Sequence, residues 1–319
     1  MVRCDATIGV PLVTLRPRDT QQLAEMLLDA HDRSAPMRIV GRGAWLHGGG
    51  RVSPTAAHVR LEGLTGIVEY VPGDLTLTAR AGTSLAEIEN ATAAHHQWCP
   101  LQPWGDDKAS LGAVFATATA GPFAQSLGRP RDLALGLEFV DGTGATVRAG
   151  GRVVKNVAGF DLTRLLVGAW GSLGAITEVS VRLRARPRVD ETWAVAFDTN
   201  DPAATVRRTA FERGPLAPLA LRQLRDTESG KLGLAPSRTL LTRLGGNASF
   251  VAAARAAVLE LGDAEQCSTE TWQRYRAIHE AELATNLDLA IADPLSQRVK
   301  RKFDPRRIMN PGILGEPSA

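Results

Sequence analysis

The chain has 319 residues, enough for more than one hydrophobic core, and its 44% hydrophobic and 22% charged residues are typical of soluble globular proteins. A net charge of +3 gives little reason to expect a nucleic-acid partner. Three scattered cysteines, no apolar run of eighteen residues and no signal-peptide cleavage pattern argue against a disulfide framework, a CxxC metal or iron–sulfur site, secretion and membrane insertion.

The N-terminal part predicts one helix and one strand before a glycine-rich loop. Residues 20–32 carry apolar side chains at helical spacing, with Asp19 or Thr20 as the N-cap. After Pro36 the run MRIVG predicts a strand, which leads directly into GRGAWLHGGG at residues 41–50.

The loop at residues 41–50 is the first candidate binding segment, because a strand that ends in a glycine-rich loop can turn backbone amides towards a phosphate. It is not the GxGxxG fingerprint of a Rossmann fold, since Leu46 stands at the last glycine position and no helical pattern follows. It also lacks the GK[ST] of a Walker loop. A plain surface loop or hairpin is the alternative, and His47 is expected to be exposed or at the edge of the core.

A predicted hairpin and a helix separate this loop from a second candidate binding segment. Residues 66–82 alternate as two strands around a turn at Pro72–Asp74, and Thr83 or Ser84 then caps a helix. The segment 110–121 is rich in small residues, which indicates that something packs against its backbone. Either a neighbouring helix or a flat ring system would fit.

A buried strand and a third glycine-rich stretch follow. Residues 133–140, LALGLEFV, predict a central strand before a hairpin turn at Asp141–Gly144. Residues 156–166 predict a turn and a short amphipathic helix; three glycines follow within seven residues, and residues 175–183 alternate like a half-buried strand. This succession suits a cofactor that lies against the main chain, although a tight turn before a strand is the alternative.

Residues 190–290 predict a smaller α/β unit. Its two β-α units have strands at 193–197 and 239–244, helices at 203–213 and 249–261, and a further helix from Trp272 to about Leu287. Before this unit, Arg182, Arg184, Arg186 and Arg188 are spaced two apart on one face of a strand. A solvated strand face is the default interpretation of that row, and a surface for an acidic partner is the alternative.

These segments resemble one known family. The run KNVAGFDLTRLLVGAWGSLGAITEVSVRLRARP, residues 155–187, is similar to the FAD-binding domain shared by the vanillyl-alcohol oxidase and p-cresol methylhydroxylase superfamily. Within it, VVKNVAGFDL after a GG pair resembles the FAD-binding subunit of bacterial glycolate oxidase. The resemblance covers about residues 20–187 and, at the other end, SQRVKRKFDPRRIMNPGIL at residues 296–314, where Asp304 and Asn310 would order a turn.

The resemblance implies an α+β fold in three parts. Residues 1–187 would form the FAD-binding domain, itself made of two α+β subdomains. Residues 188–295 would form a small αβ cap domain, and residues 296–319 a C-terminal segment that returns to the flavin domain.

The resemblance also implies which residues bind FAD. In the family the first loop offers backbone amides to the diphosphate, the small-residue segment lies by the isoalloxazine and ribityl chain, and the glycine loop with its following strand lies along the flavin and adenosine. The residues so implied in this chain are Gly41, Arg42, Gly43, Ala44, Trp45, Leu46, Pro103, Ser110, Leu111, Gly112, Thr117, Gly121, Gly171, Gly174, Ile176 and Asn310.

Two departures from the family pattern concern the cofactor. Members that attach flavin covalently through the first loop carry histidine directly after its second glycine, where this chain has Ala44. Alanine has no nucleophile, so we expect FAD to be held non-covalently. The usual TxGG of the family appears here as SLGA, and the methyl group of Ala113 narrows the approach to the backbone.

The expected function is that of an oxidoreductase subunit. Relatives that oxidise 2-hydroxy acids carry a metal motif of the form HGDGNxH in the cap, whereas this cap has one histidine, His279. We therefore expect no metal, no activity on substrate by the chain alone, and no assignable catalytic residue. The resemblance implies an FAD-binding subunit of a glycolate (2-hydroxy acid) oxidase complex that relays electrons from a catalytic flavoprotein subunit to an iron–sulfur subunit.

The three scattered cysteines favour a reducing cytoplasm. The resemblance adds the expectation of a peripheral position at the inner membrane through partner subunits. Two other functions stay open. One is a non-catalytic assembly subunit whose FAD site is structural. The other is a stand-alone FAD-dependent oxidase or reductase, such as the enolpyruvyl reductase of cell-wall synthesis, which shares the domain.

Overall fold

The computed structural model describes residues 13–151, 161–198, 200–235, 239–279 and 294–315. Its strands, in chain order, are β1 (Thr14–Leu15), β2 (Met37–Val40), β3 (Ala57–Arg60), β4 (Ile67–Val71), β5 (Thr76–Arg80), β6 (Gln97–Trp98), β7 (Ala134–Val140), β8 (Thr146–Gly150), β9 (Ala175–Arg182), β10 (Arg184–Ala185), β11 (Val189–Ala196), β12 (Ala220–Leu224), β13 (Thr239–Gly246) and β14 (Ala264–Cys267). Its helices are α1 (Thr20–Arg33), α2 (Leu85–Ala93), α3 (Leu111–Thr117), α4 (Ala124–Leu127), α5 (Pro130–Leu133), α6 (Leu162–Leu166), α7 (Pro202–Arg213), α8 (Asp226–Leu232), α9 (Ala248–Leu259), α10 (Glu270–Ile278) and α11 (Pro294–Phe303).

Among the helices in these described ranges, none combines the length and the apolar character that crossing a bilayer requires.

The first sheet is small and parallel, with strand order β1-β3-β2. Helix α1 shares a core with it, because Leu23, Leu27 and Ala30 repeat at helical spacing and are fully buried. The Asp19 side chain accepts a hydrogen bond of 2.7 Å from the Gln22 amide, so the predicted N-cap is confirmed as Asp19.

The second sheet has five antiparallel strands in the order β4-β5-β9-β7-β8. The two predicted turns are confirmed: Pro72–Asp74 lies between β4 and β5, and Asp141–Gly144 joins β7 to β8. The prediction that residues 133–140 form the central strand is wrong in position, since β9 is in the middle and β7 is second from the edge. A continuous apolar run indicates only that both faces of a strand are covered. Because an internal strand next to the central one is also covered on both faces, the run does not distinguish the two positions.

A buried carboxylate on β7 ties this sheet to α1. Glu138 accepts hydrogen bonds from Thr20 of α1 (3.1 Å), Thr177 of β9 (2.8 Å) and Arg148 of β8 (2.6 Å). Burial by itself raises the pKa of Glu138, but these bonds and the charge of Arg148 outweigh burial and lower it. Glu178, its cross-strand neighbour, has its pKa raised by burial and by the charge of Glu138.

The third sheet is antiparallel with strand order β12-β13-β11-β14. Helices α7 and α9 share its core, and the order matches the split β-α-β arrangement of ferredoxin-like folds. The sequence predicted β11, β13, α7 and α9 but missed β12, α8 and β14. These three elements have at most seven residues each and are rich in polar side chains, so no apolar period marks them.

Helix α10 joins the third sheet to the loop before α3. Arg276, which is 2% exposed, donates from Nη1 to the Pro103 carbonyl (3.2 Å) and from Nη2 to Asp107 Oδ1 (2.7 Å). The Arg276 carbonyl accepts a bond of 3.0 Å from the Gly105 amide. The third sheet is therefore held against the segment that leads into Ser110.

The arginine row does not form one uniform face. Arg184 belongs to β10, which pairs with β6, and its Nη2 lies 3.4 Å from the Leu127 carbonyl. Arg186 donates to the Gln97 carbonyl at 3.2 Å and forms an ion pair with Glu89. These two side chains therefore bind their own chain rather than forming a free solvated face.

Two sequence predictions fall partly outside the described residues. The motif VVKNVAGF, residues 153–160, lies outside them, as does the predicted last helix beyond residue 279. Within the described part, Asp161 accepts a bond of 3.0 Å from the Arg164 amide and caps α6. The three-part division into domains stays a prediction.

The Glu138 contacts generate a pH-dependent prediction. Because its folded pKa is lowered, Glu138 stabilises the fold above its unfolded pKa, and this contribution is lost as the pH falls through the folded pKa. We expect Glu138→Gln to reduce the free energy of unfolding by about 1 to 2 kcal/mol at pH 7, and by less as the pH falls below about 4. Urea unfolding at several pH values measures this difference.

The control is Glu178→Gln, on the paired strand. Since the folded pKa of Glu178 is raised, its charge costs stability at neutral pH, and its removal should leave stability equal or higher there. A Glu138→Gln protein as stable as the parent at pH 7 would contradict the role given to this carboxylate.

Candidate functional site

Three segments that are far apart in the chain meet around one pocket. The loop after β2, the start of α3 and the loop before β9 surround a half-open pocket, and the space in and around it, open solvent included, is about 760 Å³. The wall is completed by β2, by β9 and by the segment after α11. The lining residues are Arg38, Ile39, Val40, Gly41, Gly43, Ala44, Trp45, Leu46, Gly48, Leu61, Ala81, Ser110, Gly112, Ala113, Ala116, Thr117, Trp170, Gly171, Gly174, Ile176, Asn310 and Ile313.

Two glycines allow these segments to approach each other. A Cβ atom on Gly41 would lie 2.4 Å from Ser110 Oγ, and one on Gly112 would lie 2.5 Å from the Cβ of Ala81. Each distance is far below van der Waals contact, so any side chain there would push the first loop or β5 away from α3. At these two positions glycine is needed because the segments of the pocket wall pack closely against each other.

The first loop has several backbone amides without a protein partner. Within the described part of the chain, the amides of Arg42–Trp45 donate to no carbonyl or side chain within hydrogen-bonding geometry. The loop is nevertheless fixed at its ends. Arg38 Nη2 donates to the Leu46 carbonyl (2.5 Å), and the Gly50 amide donates to the Ile313 carbonyl (2.7 Å). Unpaired amides in a fixed loop are suited to an anionic group.

Asn310 links two of the segments. Its Oδ1 accepts a hydrogen bond from the Ile39 amide, and its Nδ2 donates to the Trp170 carbonyl, both at 2.6 Å. Trp170 adopts a left-handed conformation with φ 52°, and its own amide donates to the Ala116 carbonyl at 2.8 Å. One side chain thus joins β2 to the glycine loop, which in turn contacts α3.

A buried ion pair orders the segment that carries Asn310. Asp304 is fully buried and accepts bonds from the Ile308 and Met309 amides, both at 2.9 Å. Lys300 Nζ donates to Asp304 Oδ2 (2.8 Å) and to the Ser172 carbonyl (2.7 Å) in the glycine loop. The prediction that Asp304 and Asn310 order this turn is confirmed.

Two buried polar atoms of lining residues have no partner within the described residues. They are the Ser110 hydroxyl and the indole nitrogen Nε1 of Trp45. An unsatisfied buried donor costs about 1 to 3 kcal/mol, so a ligand group or water that meets the Ser110 hydroxyl would recover that cost. Apolar walls, free loop amides and an unpaired hydroxyl fit a dinucleotide that has flat rings and a diphosphate.

The structure brings twelve of the sixteen sequence-predicted residues to the pocket: Gly41, Gly43, Ala44, Trp45, Leu46, Ser110, Gly112, Thr117, Gly171, Gly174, Ile176 and Asn310. It does not bring the side chains of the other four there. Leu111 is fully buried in the core, and Arg42 pairs with Glu87 at 3.1 Å. Gly121 packs against the Gln102 carbonyl, and the Pro103 carbonyl accepts from Arg276. FAD contact by any of the sixteen stays a prediction.

The sequence missed three lining side chains of distinct character: Arg38, Trp170 and Ile313. Two of them could have been found from the sequence: Trp170 lies between Gly168 and Gly171 of the glycine loop, and Ile313 directly follows the NPG motif at residues 310–312. Arg38 had no signal, because one arginine in a short strand is an ordinary surface residue.

Comparisons with known proteins show the family of this chain. Residues 11–150 match the family model described as an FAD binding domain. The glycolate oxidase subunit GlcE of Escherichia coli K12 is 34% identical over 259 residues, which cover 81% of this chain and 68% of that protein. The chain belongs to this family of FAD-binding oxidoreductases.

Two longer relatives match over a smaller share of their own length. The glycolate oxidase subunit GlcD of Bacillus subtilis is 29% identical over 61% of this chain and 42% of its own length. The D-lactate dehydrogenase of Archaeoglobus fulgidus is 29% identical over 69% of this chain and 49% of its own length. The chain therefore spans less than half of these two relatives.

Solved structures confirm the α+β fold. An alkyldihydroxyacetonephosphate synthase superposes with a TM-score of 0.67 at 18% identity, over 86% of this chain and 56% of that chain. A p-cresol methylhydroxylase with substrate bound superposes with a TM-score of 0.66 at 13% identity, over 91% and 63%. These structures confirm the predicted fold, and the family model together with GlcE confirms the predicted relation to glycolate oxidase subunits and the predicted cofactor FAD.

The lining residues generate a prediction about cofactor attachment. Of the described residues that line the pocket, none is histidine, cysteine or tyrosine, and His47 is an exposed residue outside the lining. We expect acid precipitation of the flavin-loaded protein to release all flavin into the supernatant. Absorbance of the pellet and the supernatant measures it, and yellow pellets after repeated washing would contradict non-covalent binding.

Proposed function

We propose that this chain is the FAD-binding subunit of a glycolate oxidase-type complex that oxidises a 2-hydroxy acid. In this role it relays electrons from a catalytic flavoprotein subunit to an iron–sulfur subunit. The observation that carries the proposal is the single pocket formed by the three glycine- and alanine-rich segments. The likeness to GlcE over most of both chains supports the choice of complex.

The residues of the pocket have separate tasks in this proposal. The amides of Arg42–Trp45 bind the diphosphate, while Gly112 and its small neighbours in α3 pack against the ring system. The Ser110 hydroxyl donates to a polar group of the cofactor, because no described residue accepts its hydrogen bond. FAD, when bound, supplies the redox chemistry.

The composition of the pocket favours a role that depends on partners. Oxidation of a 2-hydroxy acid requires a group that takes the hydroxyl proton. Of the described lining residues, none is histidine, aspartate, glutamate or tyrosine, the residues that commonly do this. A catalytic flavoprotein subunit would therefore bind the acid, and this chain would hold its own FAD at a fixed place in the complex.

The cofactor site is tested by Gly43→Val. Gly43 has φ +89°, and a Cβ atom there would lie 3.5 Å from Leu46 Cδ1, at ordinary contact distance. Valine there is strained and occupies the space needed by the diphosphate, so we expect the purified variant to retain less than about a tenth of the parent's flavin. Flavin absorbance per mole of protein measures this.

The control is Gly233→Val, which carries comparable strain at φ +76° in open space away from the pocket. We expect it to lower the unfolding temperature as Gly43→Val does and to keep its flavin. A Gly43→Val protein that is as yellow as the parent would remove the first loop from the cofactor site.

The complex is tested by affinity purification of the chain from its native cell. We expect a flavoprotein and an iron–sulfur protein to co-purify, and the assembled complex to reduce a dye with glycolate while the isolated chain does not. Turnover of a 2-hydroxy acid by the isolated chain would instead indicate a stand-alone oxidase, and flavin reduction by NADPH a reductase. Full activity of a complex assembled with the Gly43→Val chain would indicate a structural FAD site.

A further inference from the structure

Arg38 is the one charged residue among the described residues that line the pocket. It lies on β2, between buried Met37 and the start of the first loop, and its side chain is half-buried. Burial lowers the pKa of its guanidinium, and an arginine side chain keeps its charge in proteins. The pocket is otherwise apolar or neutral, so this cation dominates its electrostatic field.

The charge of Arg38 has no counter-charge in the described protein. Arg38 forms no ion pair with a described carboxylate, and one of its five N–H groups donates to the Leu46 carbonyl at 2.5 Å. Two neighbouring basic residues, His58 and Arg60, are in different situations from Arg38. Burial, followed by the charges of Arg38 and Arg60, lowers the pKa of its strand partner His58, and Arg60 is paired with Glu62 at 2.7 Å.

The bond to Leu46 determines where this charge acts. It holds the guanidinium beside the loop whose Arg42–Trp45 amides lack protein partners. A fixed, partly desolvated guanidinium next to free amides matches a diphosphate, which accepts several charge-assisted hydrogen bonds. We propose that Arg38 recognises the diphosphate of the bound dinucleotide and supplies its counter-charge. This assignment rests on the proposed FAD site.

The test uses flavin-free full-length protein and ADP as the probe, because ADP carries a diphosphate but no flavin. Binding of ADP and of FAD is measured by calorimetry at about 50 mM and about 500 mM NaCl, between which exposed charges become strongly screened. The variants are Arg38→Gln and, as the matched control, Arg60→Gln. The control removes the same charge from the neighbouring strand, and Glu62 keeps its second partner Arg16.

We expect Arg38→Gln to weaken ADP and FAD roughly 10- to 100-fold at low salt. The loss of affinity on adding salt should also be smaller than in the parent, because the charge pair that salt screens is gone. Arg60→Gln should change neither quantity more than about twofold. Circular dichroism shows whether each variant folds, and Arg38→Met, with a similar apolar stem, replaces Arg38→Gln if that variant does not.

Two results would overturn the assignment. If the Arg38 variant binds ADP as well as the parent does, the residue does not recognise the diphosphate. If binding weakens while its salt dependence stays that of the parent, Arg38 only holds Leu46 in place. Failure of the parent to bind FAD is a different outcome, since it would remove the proposed function itself.

Discussion

The pocket depends on the two hydrogen bonds of the Asn310 side chain. The Ile39 amide at the end of β2 and the Trp170 carbonyl in the glycine loop belong to segments more than 100 residues apart in sequence, and Asn310 bridges them at 2.6 Å on each side. A buried ion pair between Lys300 and Asp304 fixes the segment that carries Asn310. Lys300 Nζ also donates a hydrogen bond to the Ser172 carbonyl in the glycine loop. A buried ion pair of this kind adds little net stability, but its partners fit only one arrangement of the segments.

Much of this site could be predicted because its segments carry local signals. Glycine and small residues mark the three segments of the wall, and Ser84, one of the two predicted caps, is the N-cap of α2 and accepts a hydrogen bond from the Glu87 amide. The remaining features depend on the tertiary fold. Nothing in the run MRIVG indicates that Arg38 faces a pocket. Its position depends on the bond to Leu46 and on the C-terminal segment, which pairs with β2 at Met37. The short strands β12 and β14 gain their order from pairing with β13 and β11.

The structure also changes the interpretation of the glycines. Their density in the sequence suggested a backbone that a ligand approaches, and Gly43 fits that view. At Gly41 and Gly112, however, a side chain would collide with Ser110 or Ala81 of the protein itself. The same residue type thus serves two purposes in one pocket. In this pocket a glycine-rich motif therefore marks close packing between segments as well as a place where a ligand can bind.

The position of Asn310 and Ile313 in the pocket wall has a consequence for biosynthesis. The first loop and α3 emerge from the ribosome long before residues 304–314, so during translation the wall lacks the side that these residues supply. A nascent chain that stops short of these residues therefore has an incomplete pocket. Retention of FAD by the complete wall therefore requires synthesis of residues 304–314 first, which makes it a late step in the folding of the chain.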